Sequence, residues 1–209
     1  MATYRKVYST VGSFEYVSKR KPRKHQAEMA LLDKVFKHIP TDARVLDCPC
    51  GGGRVSVHLS NQGYQMTAAD VSPAMLALAR DNFGARQLNI SVEQEDLEAL
   101  SYKDRTFDAS ICFRLFHHLP EPGIRRLMIR ELCRVTSSHV ALSYISPLAF
   151  TSAYRRIVRT LTGKKSKKWS TPLPEIKSYF KENGFRLVRD FAQLPLVHTL
   201  HVALFRRIT

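Results

Sequence analysis

The chain has 209 residues, 44% hydrophobic and 24% charged, the balance of an ordinary globular domain and far from that of a disordered chain. Lysine and arginine number 33 against 18 aspartate and glutamate, a formal net charge of +15. No run approaches the roughly 20 apolar residues that cross a bilayer, and the opening MATYRKVYSTVGSFEYVSKRK lacks the apolar stretch of a secretion signal, so a cytoplasmic protein with one core is expected.

The charge is unevenly placed. Residues 1 to 25 hold seven basic side chains and one acid, and residues 147 to 170 hold seven basic side chains and no acid. Thirteen of the fifteen net charges therefore sit on two segments, and the body of the chain is nearly neutral. The four cysteines, Cys48, Cys50, Cys112 and Cys133, form no CxxC pair, so neither a metal site nor a disulfide framework is expected.

In chain order, a basic arm and a helix are predicted within 1–40. The helix runs from Gln26 to Ile39, stops at Pro40, and places Ala27, Ala30, Leu31, Lys34, Val35 and His38 on one face. ARVLDC from Ala43 reads as a first strand, CPCGGGR as a tight turn, and the residues from Arg54 to about Asn61 as a helix. GYQMTAAD is a second strand closing on Asp70, and Ser72 and Pro73 then form the N-cap and first position of a helix reaching about Asn82. Residues 88 to 95 form a third strand leading to Asp96, and Thr106 to Phe113 a fourth. A helix follows LPEPG, with Ile124, Leu127, Met128, Glu131, Leu132 and Val135 on one face, and SHVALSYI is a fifth strand. After the basic segment come a short helix at 174–182, a stop at Gly184, and a closing strand pair at 185–191 and 196–206 with a turn at Pro195. Strands alternating with helices predict an α/β, doubly wound, mostly parallel sheet, with residues 41–209 as the ligand-binding domain.

In such sheets, ligands bind beyond the carboxyl ends of the strands, near the point where strand order reverses. The first turn, Asp47-Cys48-Pro49-Cys50-Gly51-Gly52-Gly53, lies there, and its glycines let a ligand approach the main chain. Asp70 follows Asp47 by 23 residues, a spacing that suits a carboxylate facing a ribose diol. Three successive strands thus lead into an acid: Asp47, Asp70 and Asp96. A nicotinamide-dinucleotide site is disfavoured, because Gly51-x-Gly53-x-x-Ser56 lacks the third glycine and Asp47 would repel a pyrophosphate.

On these residues the sequence resembles the class I S-adenosylmethionine-dependent methyltransferases, from about Val45 to Leu119 and more loosely beyond. VLDCPCGGG is similar to the family's first motif, with Pro49 where a glycine is usual, a change that removes one N–H donor. DRTFDASICFRLFHHLP resembles its fourth-strand motif. The resemblance implies a seven-stranded Rossmann-like methyltransferase fold with an antiparallel closing strand, and S-adenosyl-L-methionine as cofactor. It implies that Asp47, Cys48, Pro49, Cys50, Gly51 and Gly53 hold the methionine part, Asp70 and Val71 the ribose, and Asp96 and Leu97 the adenine. Phe113 completes that set.

Candidates near the fourth and fifth strand ends for handling the acceptor are His117, as a general base, with Arg114 and Tyr144. The fourth strand does not run into an Asn/Asp-Pro-Pro-aromatic tetrapeptide, so the chain does not resemble methylases of base exocyclic amines. The insert 147–170 reads as a basic amphipathic helix with Phe150, Ala153, Tyr154, Ile157, Val158 and Leu161 on its apolar face, and as an acceptor lid by the resemblance. The leading expectation is methyl transfer to an anionic small-molecule, glycan or lipid-linked acceptor, with peripheral contact at the inner membrane face. A nucleic-acid or protein methyltransferase, and a non-catalytic adapter retaining the fold, are the alternatives.

Overall fold

The computed structural model describes residues 22–147, 169–192 and 199–208. They form α1 (Pro22–Phe36), β1 (Arg44–Asp47), α2 (Arg54–Ser60), β2 (Gln65–Asp70), α3 (Pro73–Gly84), β3 (Ser91–Gln94) and β4 (Phe107–Cys112). A 3-10 turn (Phe116–His118), α4 (Pro122–Val135), β5 (Thr136–Ile145), α5 (Leu173–Glu182), β6 (Phe185–Ala192) and β7 (Leu200–Arg207) follow. The sheet has seven strands in the order β3-β2-β1-β4-β5-β7-β6. The first five pair in parallel, and β7 runs antiparallel between β5 and β6. The doubly wound expectation holds.

Alternation along the strands divides the core into two layers. Leu46, Leu142, Ala203 and Phe205 face α4 and α5, where Met128, Leu132, Ile176 and Phe180 pack. Val45, Ala68, Ile111 and Leu204 face the opposite way, onto Leu32, Phe36, Leu59 and Phe83 of α1, α2 and α3. Strand order reverses between β1 and β4, so the loops after these two strands diverge and open a crevice.

Several local expectations are corrected. In α1, Leu31 and Val35 are buried as expected, but Ala30, Lys34 and His38 are exposed, and Glu28, Met29, Leu32 and Phe36 are buried in their place. Burying Met29, Leu32 and Phe36 removes far more apolar area than burying alanines, and that sets the rotation of the helix. The helix also stops at Phe36, short of Pro40. In α4, Ile124 and Leu127 are half-buried while Arg125 and Ile129 are buried, a small rotation toward α5, where Arg125 pairs with Glu175 at 2.7 Å.

The third strand is only Ser91–Gln94, and Asp96 lies past its end in a tight turn where its Oδ1 accepts the Glu98 N–H at 3.0 Å. The final strand is described over Leu200–Arg207, and the start expected at 196 lies outside the described residues. The turn at Pro195, the basic arm 1–21 and the apolar helical face expected at Phe150 to Leu161 lie outside the described residues.

Candidate functional site

A cavity of about 430 Å³ opens at the carboxyl ends of β1, β2 and β4, at the reversal of strand order. Its walls are built by main-chain threading of the first turn between neighbouring strands. Cys48 N–H donates to the Ile111 carbonyl at 3.0 Å, and Cys50 N–H to the Ala69 carbonyl at 2.8 Å. The Cys48–Pro49 peptide is cis. Gly51 and Gly53 have φ of +54° and +77°, the left-handed region that favours glycine. At Gly53 a Cβ would also lie 2.4 Å from the Phe83 ring, so this glycine lets α2 and α3 close against each other.

Asp70 ties the first two turns together. Gly51 N–H donates to its Oδ2 at 2.9 Å, and Ser72 N–H to its Oδ1 at 3.0 Å. Burial raises its carboxyl above the usual range, and these backbone donors oppose the rise. Ser72 also caps α3 by accepting the Met75 N–H.

Asp47, at the end of β1, is 1% exposed. Ser56 Oγ donates to its Oδ2 at 2.7 Å, while Oδ1 is buried and makes no hydrogen bond. Burial pushes this carboxyl up to about 7, with the Ser56 hydrogen bond and Arg54 pulling the other way. A buried acceptor oxygen left open beside a cavity suits a ligand that brings a cationic donor.

Two arginines of the wall, Arg54 at the start of α2 and Arg114 after β4, are tied to the first helix. Glu28, 1% exposed, bridges two arginines that line the cavity. Its Oε2 lies 2.8 Å from Arg54 Nη2 and its Oε1 2.9 Å from Arg114 Nη1. The Arg54 guanidinium also sits 5.1 Å above the Phe113 ring. Arg114 has φ +67°, and its N–H donates to Ser143 Oγ at 2.6 Å. Pro22 and His25 of α1 reach the rim, and Asn82 Nδ2 donates to the Gly52 carbonyl at 2.8 Å.

The sequence-predicted ligand residues Asp47, Cys48, Pro49, Cys50, Gly51, Asp70, Val71, Asp96, Leu97 and Phe113 all line this one cavity. Gly53 stands behind the wall and Gly52 lines it. Of the acceptor candidates only Arg114 reaches it. His117 is 1% exposed in the 3-10 turn, its ring 4.3 Å from that of His118, and its carbonyl accepts the Trp169 N–H at 2.9 Å. Tyr144 is buried on the α4–α5 side of the sheet, where its hydroxyl donates to Asp190 Oδ2 at 2.9 Å. Burial, reinforced by Asp190, raises its phenol and keeps it protonated. The sequence reading missed Glu28, Arg54, Asn82 and His25. Glu28 carried a readable signal, since it shares helical spacing with Leu31, Leu32 and Val35 and is thus a carboxylate on an apolar face.

Burial pushes all four cysteine thiols upward, so none is poised as a thiolate. Among the described residues no group of three His, Cys, Asp or Glu side chains is placed to hold a metal ion. No described helix is long and apolar enough to cross a membrane.

Residues 45–139 match a family model described as a methyltransferase domain. The chain is 36% identical over 78 residues to ubiquinone biosynthesis O-methyltransferase of Coxiella burnetii (strain Dugway 5J108-111), covering 37% of this chain and 33% of that protein. It is 33% identical over 101 residues to the protein of the same name from Xylella fastidiosa (strain 9a5c), covering 47% and 41%. The chain thus matches well under half the length of these relatives. Among solved structures, magnesium protoporphyrin IX methyltransferase from Synechocystis PCC 6803 with bound SAH superposes with a TM-score of 0.75 at 16% identity, over 98% of this chain and 93% of that one. Burkholderia thailandensis 1,6-didemethyltoxoflavin-N1-methyltransferase superposes with a TM-score of 0.68 at 13% identity, over 99% and 86%. The fold is thus the Rossmann-like one of these solved methyltransferases, and residues 45–139 carry the match to the methyltransferase-domain model.

Proposed function

We propose that this chain transfers a methyl group from S-adenosylmethionine to a small-molecule acceptor bearing an ionisable hydroxyl. The observation that carries the reading is the open, buried Oδ1 of Asp47 in the same cavity as Asp70, Asp96 and the arginine wall. The cofactor's amino-acid end has an ammonium and a carboxylate, and its sulfonium adds a further positive charge. Asp47 complements the cationic groups, and Arg54 and Arg114 in the same cavity complement the carboxylate. Asp70 would face the ribose, and Asp96 with Leu97 the adenine. When bound, the cofactor supplies an electrophilic methyl carbon on a sulfonium.

The work left to the protein is alignment and exclusion of water. Cys48, Leu97, Phe113 and Leu115 are buried in the cavity wall and keep it apolar between its charged ends. The names of the sequence relatives support a hydroxyl acceptor. An anionic acceptor is supported by chain connectivity. The basic arm joins the fold at Pro22, on the cavity rim, and the basic insert leaves and rejoins it beside Ile145 and Trp169, at the carboxyl edge of the sheet.

Calorimetry with S-adenosylmethionine and S-adenosylhomocysteine tests the reading. Micromolar binding that weakens in Asp47→Asn and Asp70→Ala is expected, and a wild-type protein that binds neither compound would rule it out.

A further inference from the structure

A second cleft, of about 490 Å³, opens at the other edge of the sheet, where the parallel strands begin. Among the described residues, four arginines and two acids line it: Asp104 and Arg105 before β4, Arg130, Glu131 and Arg134 in the last turns of α4, and Arg207 at the end of β7. The six residues of β4 run from this edge to the first cavity, so roughly 20 Å separates the two, and they share no residue.

Both acids are taken by one arginine. Arg134 Nη2 lies 2.8 Å from Glu131 Oε2, and its Nη1 lies 3.0 Å from Asp104 Oδ1. The same guanidinium donates to the Leu100 and Tyr102 carbonyls at 2.8 and 2.7 Å. Three arginines are left over. Among the described residues, the Arg105 and Arg130 side chains make no hydrogen bond or ion pair. Arg207 is held in place by neutral groups: its Nη2 donates to the Cys133 and Thr136 carbonyls at 2.5 and 2.7 Å, and its guanidinium lies 4.5 Å over the Phe185 ring. Its Nη1 is neither buried nor hydrogen-bonded. Burial and then the charge of Arg105 lower this guanidinium from its ordinary range, outweighing the pull of Asp104.

Capping of helix ends accounts for part of the cluster. α4 ends at Val135 and α5 at Glu182, beside Asn183 in the cleft wall, and each C-terminus presents about half a negative charge. Four cations against two carboxylates and about one unit of helix charge still leave the cleft positive. Arg207 Nη2 serves the end of α4 by itself, so capping assigns nothing to Nη1, Arg105 or Arg130. Like charges gathered on one cleft work against the fold, and an anion between them relieves the repulsion.

We propose that this cleft binds the phosphate group of a small metabolite, with Arg105, Arg130 and Arg207 Nη1 as donors. Three open guanidinium groups supply more donors than one carboxylate accepts, whereas a phosphate monoester brings three acceptor oxygens and up to two charges. The volume is that of a small-molecule pocket, and the charges converge on one concavity, where nucleic acid is met by charges strung along a face. The site is independent of the methyl-transfer reading.

Calorimetric titration of the full chain with inorganic pyrophosphate, near neutral pH and at moderate salt, tests the site. Saturable binding is expected, weakened roughly tenfold or more in Arg105→Gln/Arg130→Gln, a change at two exposed positions that leaves the fold intact. Neutralising Arg155, Arg156 and Arg159 should leave that affinity in place, and the Arg207 Nε resonance in ¹H–¹⁵N spectra should move as pyrophosphate is added. The absence of saturable binding at millimolar pyrophosphate, an affinity that the double variant retains, or an unmoved Arg207 resonance each overturns the proposal. An RNA oligonucleotide that binds more tightly than pyrophosphate and loses that affinity in the double variant would assign the cleft to nucleic acid and overturn it as well.

Discussion

Glu28 and Arg114 stand 86 residues apart in the chain and 2.9 Å apart in the fold. This contact, with its twin to Arg54, makes the first helix a wall of the cavity and not merely a cover on the sheet. A carboxylate at 1% exposure between two partly buried guanidinium groups is held by geometry, because each charge has lost most of its water.

Glu28→Gln should therefore be strongly destabilising, since it leaves two arginines beside a neutral amide. Removing one partner of a buried ion pair costs about 3–5 kcal/mol, toward the lower end here because Arg54 is 24% exposed. Urea denaturation measures the loss. Cofactor affinity should fall in parallel, as the cationic wall loses its fixed position.

Asp70→Ala should weaken cofactor binding by about 1.5–3 kcal/mol, the scale of losing hydrogen bonds to a charged group. The same change frees the Gly51 and Ser72 N–H groups, so the two turns lose their common anchor and the free protein should also be less stable. Calorimetry and thermal unfolding on one variant would show both losses. Unchanged affinity would remove Asp70 from the cofactor site.

Asp47 predicts an unusual pH dependence. Its folded carboxyl is pushed up to about 7 from an ordinary value of 3.8, so between these pH values the folded state binds the proton and the unfolded state does not. The contribution of this group to stability is then fully present below about pH 4 and is lost as pH rises to about 7. Asp47→Asn should flatten that slope in ligand-free protein. Cofactor affinity should run the opposite way, rising through pH 7 as the carboxylate forms, with proton release on binding below that pH. Calorimetry in buffers of different ionisation enthalpy detects the released proton.

Neutralising Arg155, Arg156, Arg159, Lys164, Lys165, Lys167 and Lys168 should lower acceptor turnover and its dependence on ionic strength while leaving cofactor affinity intact. The cavity acids belong to the nearly neutral body and are untouched by the change. A variant that turns over its acceptor at the wild-type rate in both low and moderate salt would assign this charge to solvated surface.

The sheet class and most of the lining of the candidate cavity were legible from the residues alone because both are written in local pattern. Strand and helix periods differ, glycines mark the first turn, and the acids at Asp47 and Asp70 stand where strands end. The chain therefore carried the cavity's position as soon as the strand order was assumed. Partnerships between distant segments were decided only by tertiary packing. The burial of Met29, Leu32 and Phe36 rotated α1 and brought Glu28 to Arg54 and Arg114. The antiparallel entry of β7 between β5 and β6 put His201 against Asp190 and Tyr144, and left His117 buried in its turn, outside the cavity wall. Side chains far apart in sequence meet only when hydrophobic faces and strand register have fixed how the elements rotate and pair, and neither is encoded at the positions of the residues that meet.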